Sequence, residues 1–428
     1  MIGGRWFRVW VWLRERQNQI WFVPALGVVG ATALALGASL LNHVVPPKLL
    51  PEVRPEAIEQ LLDIVASSML AVATFSLGIM VSAFASTSSN ATPRATELVM
   101  GDDVTRTAIG SFLAAFIYAV VARTALGLNY YGPTGRFVLF VSTLAVLAHL
   151  VVTLVRWVRT LSTLGRMEDT LARIEQAAGQ ALDEHARSPW LAAMPAPDGP
   201  LPGRPVASRL TGHVTHVDLA GLQQAAVDSG GELHLRVRPG DFVHRGEALA
   251  LLQTPAGGDV PDEITLRVAG SVIVARSRTY DQDPRFGLIV LGEVAQRALS
   301  PAINDPGTAI QVLGTLTRLL LDWAERRMRP GPLPVRHDRV TVPTLAEADF
   351  LFDGFEPIAR TGADALEVQI RLQKMLAVLV ERLPPELRPE VRALAQRSVR
   401  RAQAALPLAE DGERLVATHA RLPALQGP

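Results

Sequence analysis

The 428-residue chain contains no cysteine, which excludes a disulfide framework and any thiolate metal site. Lysine is nearly absent too. It occurs only at Lys48 and Lys374, so the positive charge is almost all arginine. The formal net charge is +1, which speaks against nucleic acid as a partner because such binders carry a basic footprint for phosphates. One more thing is missing: no long apolar run follows residue 160.

Four such runs precede it, at 19–43, 61–86, 106–127 and 136–158. A bilayer core takes roughly 20 apolar residues as helix, since each backbone N–H and C=O must be satisfied internally. The pattern predicts a four-helix transmembrane domain over 1–160. A signal peptide is the competing reading of residues 5–40, with Ala33-Leu34-Ala35 as a cleavage site. That apolar run is too long for one, and three more follow.

Basic residues set the expected orientation. Arg5, Arg8, Arg14 and Arg16 precede the first run, Arg94 and Arg106 lie in the second loop, and Arg156, Arg159 and Arg166 follow the fourth run. These segments fall on one side, which places both termini in the cytoplasm and the protein in a bacterial inner membrane as a multi-pass component. Trp21, Tyr130, Tyr131 and Trp157 occupy interfacial positions.

The second run differs from the others. Asp63, Ser67, Ala71, Thr74, Gly78, Ser82, Ala85 and Ser89 recur at steps of three and four, which puts them on one helical face. Close helix packing explains such a stripe, because small residues let backbones approach. A pore wall in an oligomer explains it as well, with Asp63 and Glu59 as an acidic outer mouth. Asp63 has a third reading, as the structural partner of Arg123 near the outer end of the third run. His149 in the fourth run reads as a satisfied or interfacial histidine.

Beyond the membrane region, Leu164, Met167, Leu171, Ile174, Ala178 and Leu182 repeat at helical spacing, predicting a connecting amphipathic helix over 161–187. Residues 188–206 are rich in Pro, Ala and Gly and read as a linker. Residues 207–275 alternate with period two, as in Gly212–Val217 and Glu232–Val237, around a Pro239-Gly240-Asp241 turn. The string from Arg238 to Leu249 resembles the hairpin of biotinyl/lipoyl-type barrel-sandwich domains. No lysine stands between Lys48 and Lys374, so a covalent carrier role is excluded and a small β-module for packing or assembly remains. His213 and His216 are a weak metal hint, and strand spacing puts them on opposite faces; no metal or cofactor is expected.

Residues 276–428 read as a helical cytoplasmic domain. Its densest part runs from Arg276 to Ala309. There Gln282-Asp283-Pro284-Arg285-Phe286-Gly287 and Arg297 to Ala309, with Thr92-Pro93-Arg94 upstream, are similar to the bacterial predicted-membrane-protein family catalogued as domain of unknown function 2254. That resemblance implies the order of membrane spans, β-module and helices, and implies no activity.

Read residue by residue, Asp283-Pro284 and Asp305-Pro306 are N-cap aspartates with proline at the first helical position, starting helices near 284–299 and 306–328. Two helix N-termini beside Arg276, Arg278, Arg285 and Arg297 also form an anion site, with Asp283, Asn304 and Asp305 on its rim. A phosphate-bearing ligand or an anionic lipid head group suits it. No catalytic constellation stands out, Asp283, Glu293 and Asp305 lacking a nucleophile–base pair. Further helices follow over 344–421, and Arg397, Arg400 and Arg401 read as a solvated face.

The expected fold is therefore four transmembrane helices followed by a cytoplasmic α+β region. The leading expectation is a homo-oligomeric channel or transport protein, not an enzyme, in contact with membrane lipid, its second helix lining the path and its cytoplasmic part assembling or gating it. The alternative is a membrane-anchored sensor or scaffold for a small anionic ligand.

Overall fold

The computed structural model describes residues 22–38, 51, 53–90, 92–95, 103–161, 166–255, 261–329, 331 and 334–426. They fall into two compact units, one helical up to Asp169 and one mixed α/β that contains 92–95 and everything from Thr170 onward.

The helical unit has α1 (Phe22–Gly37), α2 (Pro55–Asn90), α3 (Asp103–Gly127) and α4 (Pro133–Leu161). Three of these, α2, α3 and α4, are long and apolar enough to cross a membrane. The 16 residues of α1 span only about 24 Å against a ~30 Å core. The rest of the expected first span (19–21 and 39–43) lies outside the described residues, as do Arg5, Arg8, Arg14 and Arg16. Gly27 and Gly110 let α1 lie against α3: a Cβ on Gly27 would stand 3.3 Å from the Ala114 Cβ, and one on Gly110 3.3 Å from Pro24. Small residues at a helix contact allow this approach. Polar side chains then tie the helices together. Tyr118 on α3 shares hydrogen bonds with Ser142 (2.7 Å) and Thr143 (3.0 Å) on α4, and the Trp157 indole donates to Ser76 of α2 at 2.8 Å. Ile58, Leu62, Val65, Phe112, Leu139 and Leu150 fill the space between.

The mixed unit starts with α5 (Met167–Arg187). Leu171, Ile174, Ala178 and Leu182 are buried as their spacing predicts; Leu164 lies outside the described residues. Next come β1 (Ala193–Pro195), β2 (Arg204–Ala207), β3 (Gly212–Val217), α6 (Leu219–Asp228), β4 (Glu232–Leu235), β5 (Phe242–Val243), β6 (Ala248–Gln253), α7 (Asp262–Ser271) and β7 (Val272–Ala275). The remaining helices are α8 (Phe286–Ala298), α9 (Pro306–Arg327), α10 (Asp349–Gly354), α11 (Glu356–Thr361), α12 (Leu366–Arg382), α13 (Arg388–Ala405) and α14 (Ala409–Ala420), with β8 (His337–Val342) between α9 and α10.

Two expectations change here. The supposed linker 188–206 holds β1 and most of β2. The β-region is not closed over 207–275 either, because β8 enters from the supposedly helical part and lies between β1 and β4. The five-stranded sheet runs β1-β8-β4-β6-β2, with β8 parallel to both neighbours, and a second sheet runs β5-β3-β7. Parallel pairs, and α6 packed over β4 and β8, depart from a barrel-sandwich of antiparallel strands. Leu222, Ala226, Leu233, Leu235, Val268 and Val340 form the core between sheet and helices.

The helical remainder wraps α8, α9 and α12. A side chain at Gly287 would clash with Ala178, so α5 and α8 meet backbone to backbone. Arg397 and Arg401 do not form a free solvated face: both reach the buried carboxylate of Glu356, since a buried charge needs partners.

Candidate functional site

Two sites were legible as candidates, and each is best judged within its own unit. On α2 the buried positions are Ile58, Leu62, Val65, Ala73, Ser76, Met80 and Ala83. Ser67, Ala71, Thr74, Gly78, Ser82 and Ala85 are all exposed. At the angular step of an α-helix the two sets are separated by roughly 180°. The stripe therefore faces directly away from its own helical unit, and a Cβ at Gly78 would meet nothing within 4 Å. Large apolar residues flank it on both sides: Ile64, Phe75 and Leu70, Leu77, Val81 are exposed. The side chain of Ser89 lies outside the described residues.

Two hydroxyls on this face spend their protons on their own helix. Ser67 donates to the Asp63 carbonyl at 2.8 Å and Thr74 to the Leu70 carbonyl at 2.9 Å. What they present outward is acceptor oxygen. Asp63 forms an ion pair with Arg123 of α3, the structural partnership that was the third of its readings. His149 lies within 3.3 Å of the Ser111 hydroxyl and 3.4 Å of that of Thr153, a satisfied histidine.

In the mixed unit, the arginines of 276–309 meet carboxylates of the chain itself. Asp283, 2 % exposed, is held by Arg278 at 2.7 Å and accepts the Arg285 N–H at 3.1 Å. Burial raises its pKa above the ordinary carboxylate value, with Arg278 opposing the shift. Arg278 also lies 5.5 Å from the centre of the Phe286 ring. This pair sits on the Pro239-Gly240-Asp241 turn, where Gly240 has φ +100° and a Cβ would come within 2.5 Å of Asp283; only glycine fits. Arg285 forks onto Asp353 at 2.6 and 3.1 Å and reaches Asp349 at 2.8 Å.

Asp283 is thus an ion-paired hub as well as a partial cap, and α8 starts at Phe286 rather than at Pro284. Asp305 is a plain N-cap. It accepts the Thr308 N–H at 3.1 Å and its hydroxyl at 2.6 Å, which lowers its pKa, and Asn304 before it takes the left-handed conformation with φ +50°.

Each helix N-terminus therefore already holds an aspartate, where a ligand anion was expected. Arg278, Arg285 and Arg297 do not converge. Arg278 and Arg285 are engaged near the start of α8, and Arg297 lies in its last turn, about 18 Å along the axis. Glu293 is paired elsewhere, with Arg94, and burial raises its pKa. The three acids Asp283, Glu293 and Asp305 have three different sets of partners. His213 stacks edge-on with Phe242, 5.2 Å between centroids, while His216 reaches Asp281 at 3.2 Å.

Sequence reasoning missed Asp349 and Asp353. Their i,i+4 spacing on α10 puts both on one face and was the available signal. It also missed Arg238, 7 % exposed, whose guanidinium donates to the Pro343 and Pro189 carbonyls. Burial pushes its pKa down to about 10. Arg238 lines a cleft of about 280 Å³ with His185, Asp218, Asp281 and His337, residues too far apart in the chain to be grouped from it.

Residues 17–378 match the family described as "Predicted membrane protein (DUF2254)". The chain belongs to this family. Two relatives are the mycobacterial proteins named "Uncharacterized protein Mb1321c", from Mycobacterium bovis, and "Uncharacterized protein Rv1290c", from Mycobacterium tuberculosis. Each is 25 % identical over 413 residues, covering 90 % of this chain and 77 % of the relative. No solved structure matches the chain. Membership accords with the three apolar helices of spanning length, and the order of membrane helices followed by a mixed unit follows the expectation from sequence.

Proposed function

We propose that the protein is a homo-oligomeric channel or transport protein of a bacterial inner membrane, with both termini cytoplasmic, in which α2 lines the path and the mixed unit assembles or gates it. The observation that carries this reading is the outward direction of the α2 stripe. A helix face destined for lipid gains nothing from serine, threonine or glycine, and the flanking Ile64, Leu70, Phe75, Leu77 and Val81 show what such a face otherwise contains. Small residues there let a second copy of the helix approach, and closed symmetry repeats the contact around an axis. Hydroxyl oxygens with their protons turned inward offer acceptors to water or a cation. The Asp63–Arg123 pair makes the outer mouth less acidic than Asp63 alone would.

Single-channel recording in planar bilayers tests the path. Thr74→Phe and Ser82→Leu are expected to block or reduce conductance of the wild-type protein, while Val151→Phe, on the exposed face of α4, leaves it unchanged. Currents unaltered by both α2 substitutions remove α2 from the path. The alternative of an anionic-ligand scaffold loses support at 276–309, because Arg278 and Arg285 are neutralised in place.

A further inference from the structure

The Thr92-Pro93-Arg94 string lies just past the end of α2, and its own contacts place it in the mixed unit. Residues 90–95 cluster with everything from Thr170 onward, so the last residue of the stripe-bearing helix already belongs there. The sequence dictates the break. Proline at 93 has no N–H to continue the hydrogen-bond ladder of α2, and it pushes Thr92 out of the helical region. Thr92 then caps the turn that follows: its hydroxyl accepts the Ala95 N–H at 3.3 Å, and 93–95 are helical. Thr92 and Ala95 are both buried.

This turn is seated on the segment from Tyr280 to Glu293. The Tyr280 hydroxyl donates to the Arg94 carbonyl at 3.3 Å, and the Arg94 guanidinium pairs with Glu293. The seat itself is tightly packed. The Tyr280 ring lies against Phe286, 4.7 Å between centroids. α8, which carries Phe286 and Glu293, meets α5 at Gly287, and a Cβ on Gly292 would stand 3.0 Å from the Asp353 carbonyl oxygen of α10. Val290, Leu291, Val294 and Ala295 around Glu293 are fully buried.

The pair contributes little to folding. The Arg94 side chain is 56 % exposed and that of Glu293 26 %, and an ion pair so open to water is weak. Its place in the chain matters more. It joins a packed helix of the mixed unit to a residue four positions beyond the end of α2.

We propose that the Arg94–Glu293 pair is the link through which the mixed unit holds the cytoplasmic end of α2, so that making or releasing it shifts the path between closed and open. This inference rests on the reading of α2 as the path. An equilibrium between two states moves only by the free energy that differs between them. The link therefore sets how long the path stays open, while the stripe on α2 sets what passes.

Single-channel recording on the full-length protein separates the two readings. Arg94→Gln and Glu293→Gln should each change the open probability by roughly fivefold or more, with unit conductance and melting temperature unchanged. The double variant should match the singles, since either loss breaks the same link, and Arg94→Lys should keep most of the wild-type behaviour. Additive effects, or an open probability unchanged in a protein that conducts, overturn the link and leave α2 as the path. A silent wild type removes the path instead. The link is then read from maleimide labelling of Ala85→Cys on the exposed stripe, in a protein with no native cysteine. A labelling rate changed equally by Arg94→Gln, Glu293→Gln and their combination supports the link, and any other pattern overturns it.

Discussion

The outward face of α2 and the arginine-rich segment 276–309 are the two places where polar residues stand out in the chain, and they end in opposite conditions. On 276–309 the structure closes charges against one another, Asp283 with Arg278 and Arg285 with Asp349 and Asp353, while Asp305 is taken up by the Thr308 cap bonds. On α2, among the described residues, nothing in the helical unit covers Ser67, Thr74, Gly78 or Ser82. Both regions are unusual in sequence. Only one is left with work for a partner, because a partner supplied by the same chain removes the reason for seeking another.

The contrast can be sharpened within 276–309 by its two Asp-Pro steps. Asp283→Ala is expected to give the largest effect, a loss of about 3–5 kcal/mol, because it strands the guanidinium of Arg278 at a mostly buried position. Denaturation of the detergent-solubilised protein measures it. Asp305→Ala removes an exposed cap and should cost about 1 kcal/mol by the same assay. Equal losses for the two would mean that burial of the first pair carries no weight.

A smaller effect concerns pH. Burial lowers the pKa of His419, whose Nδ1 lies 2.8 Å from the Gln373 side-chain oxygen. A histidine with depressed folded pKa contributes stability above its unfolded value of about 6.5 and loses it as pH falls through the folded value. Stability should therefore decline on acidification below about pH 6.5, and His419→Gln should flatten that decline. A steeper decline in the variant would contradict the assignment.

Much of this architecture is written in local pattern. The buried stripe of α5 follows the spacing of Leu171, Ile174, Ala178 and Leu182, Asp305 caps α9 as its Asp-Pro step requires, and the apolar runs at 61–86, 106–127 and 136–158 became α2, α3 and α4. What escaped was long-range. β1 has three residues, too few for a period, and it becomes a strand by lying beside β8, more than a hundred residues on. Arg285 finds Asp353 68 residues on, and Arg397 and Arg401 find Glu356. Spacing reveals which face a residue occupies and leaves open what that face meets.

The outward stripe of α2 meeting another copy of the chain can be tested directly, because the protein has no native cysteine. Single cysteines placed at Thr74, Gly78 and Ser82, and at Val151 on α4 as the exposed control, are oxidised in native membranes and resolved by electrophoresis. The account predicts covalent dimers from the three α2 positions and none from Val151. No dimer from any α2 position, or dimers equally strong from Val151, would contradict it.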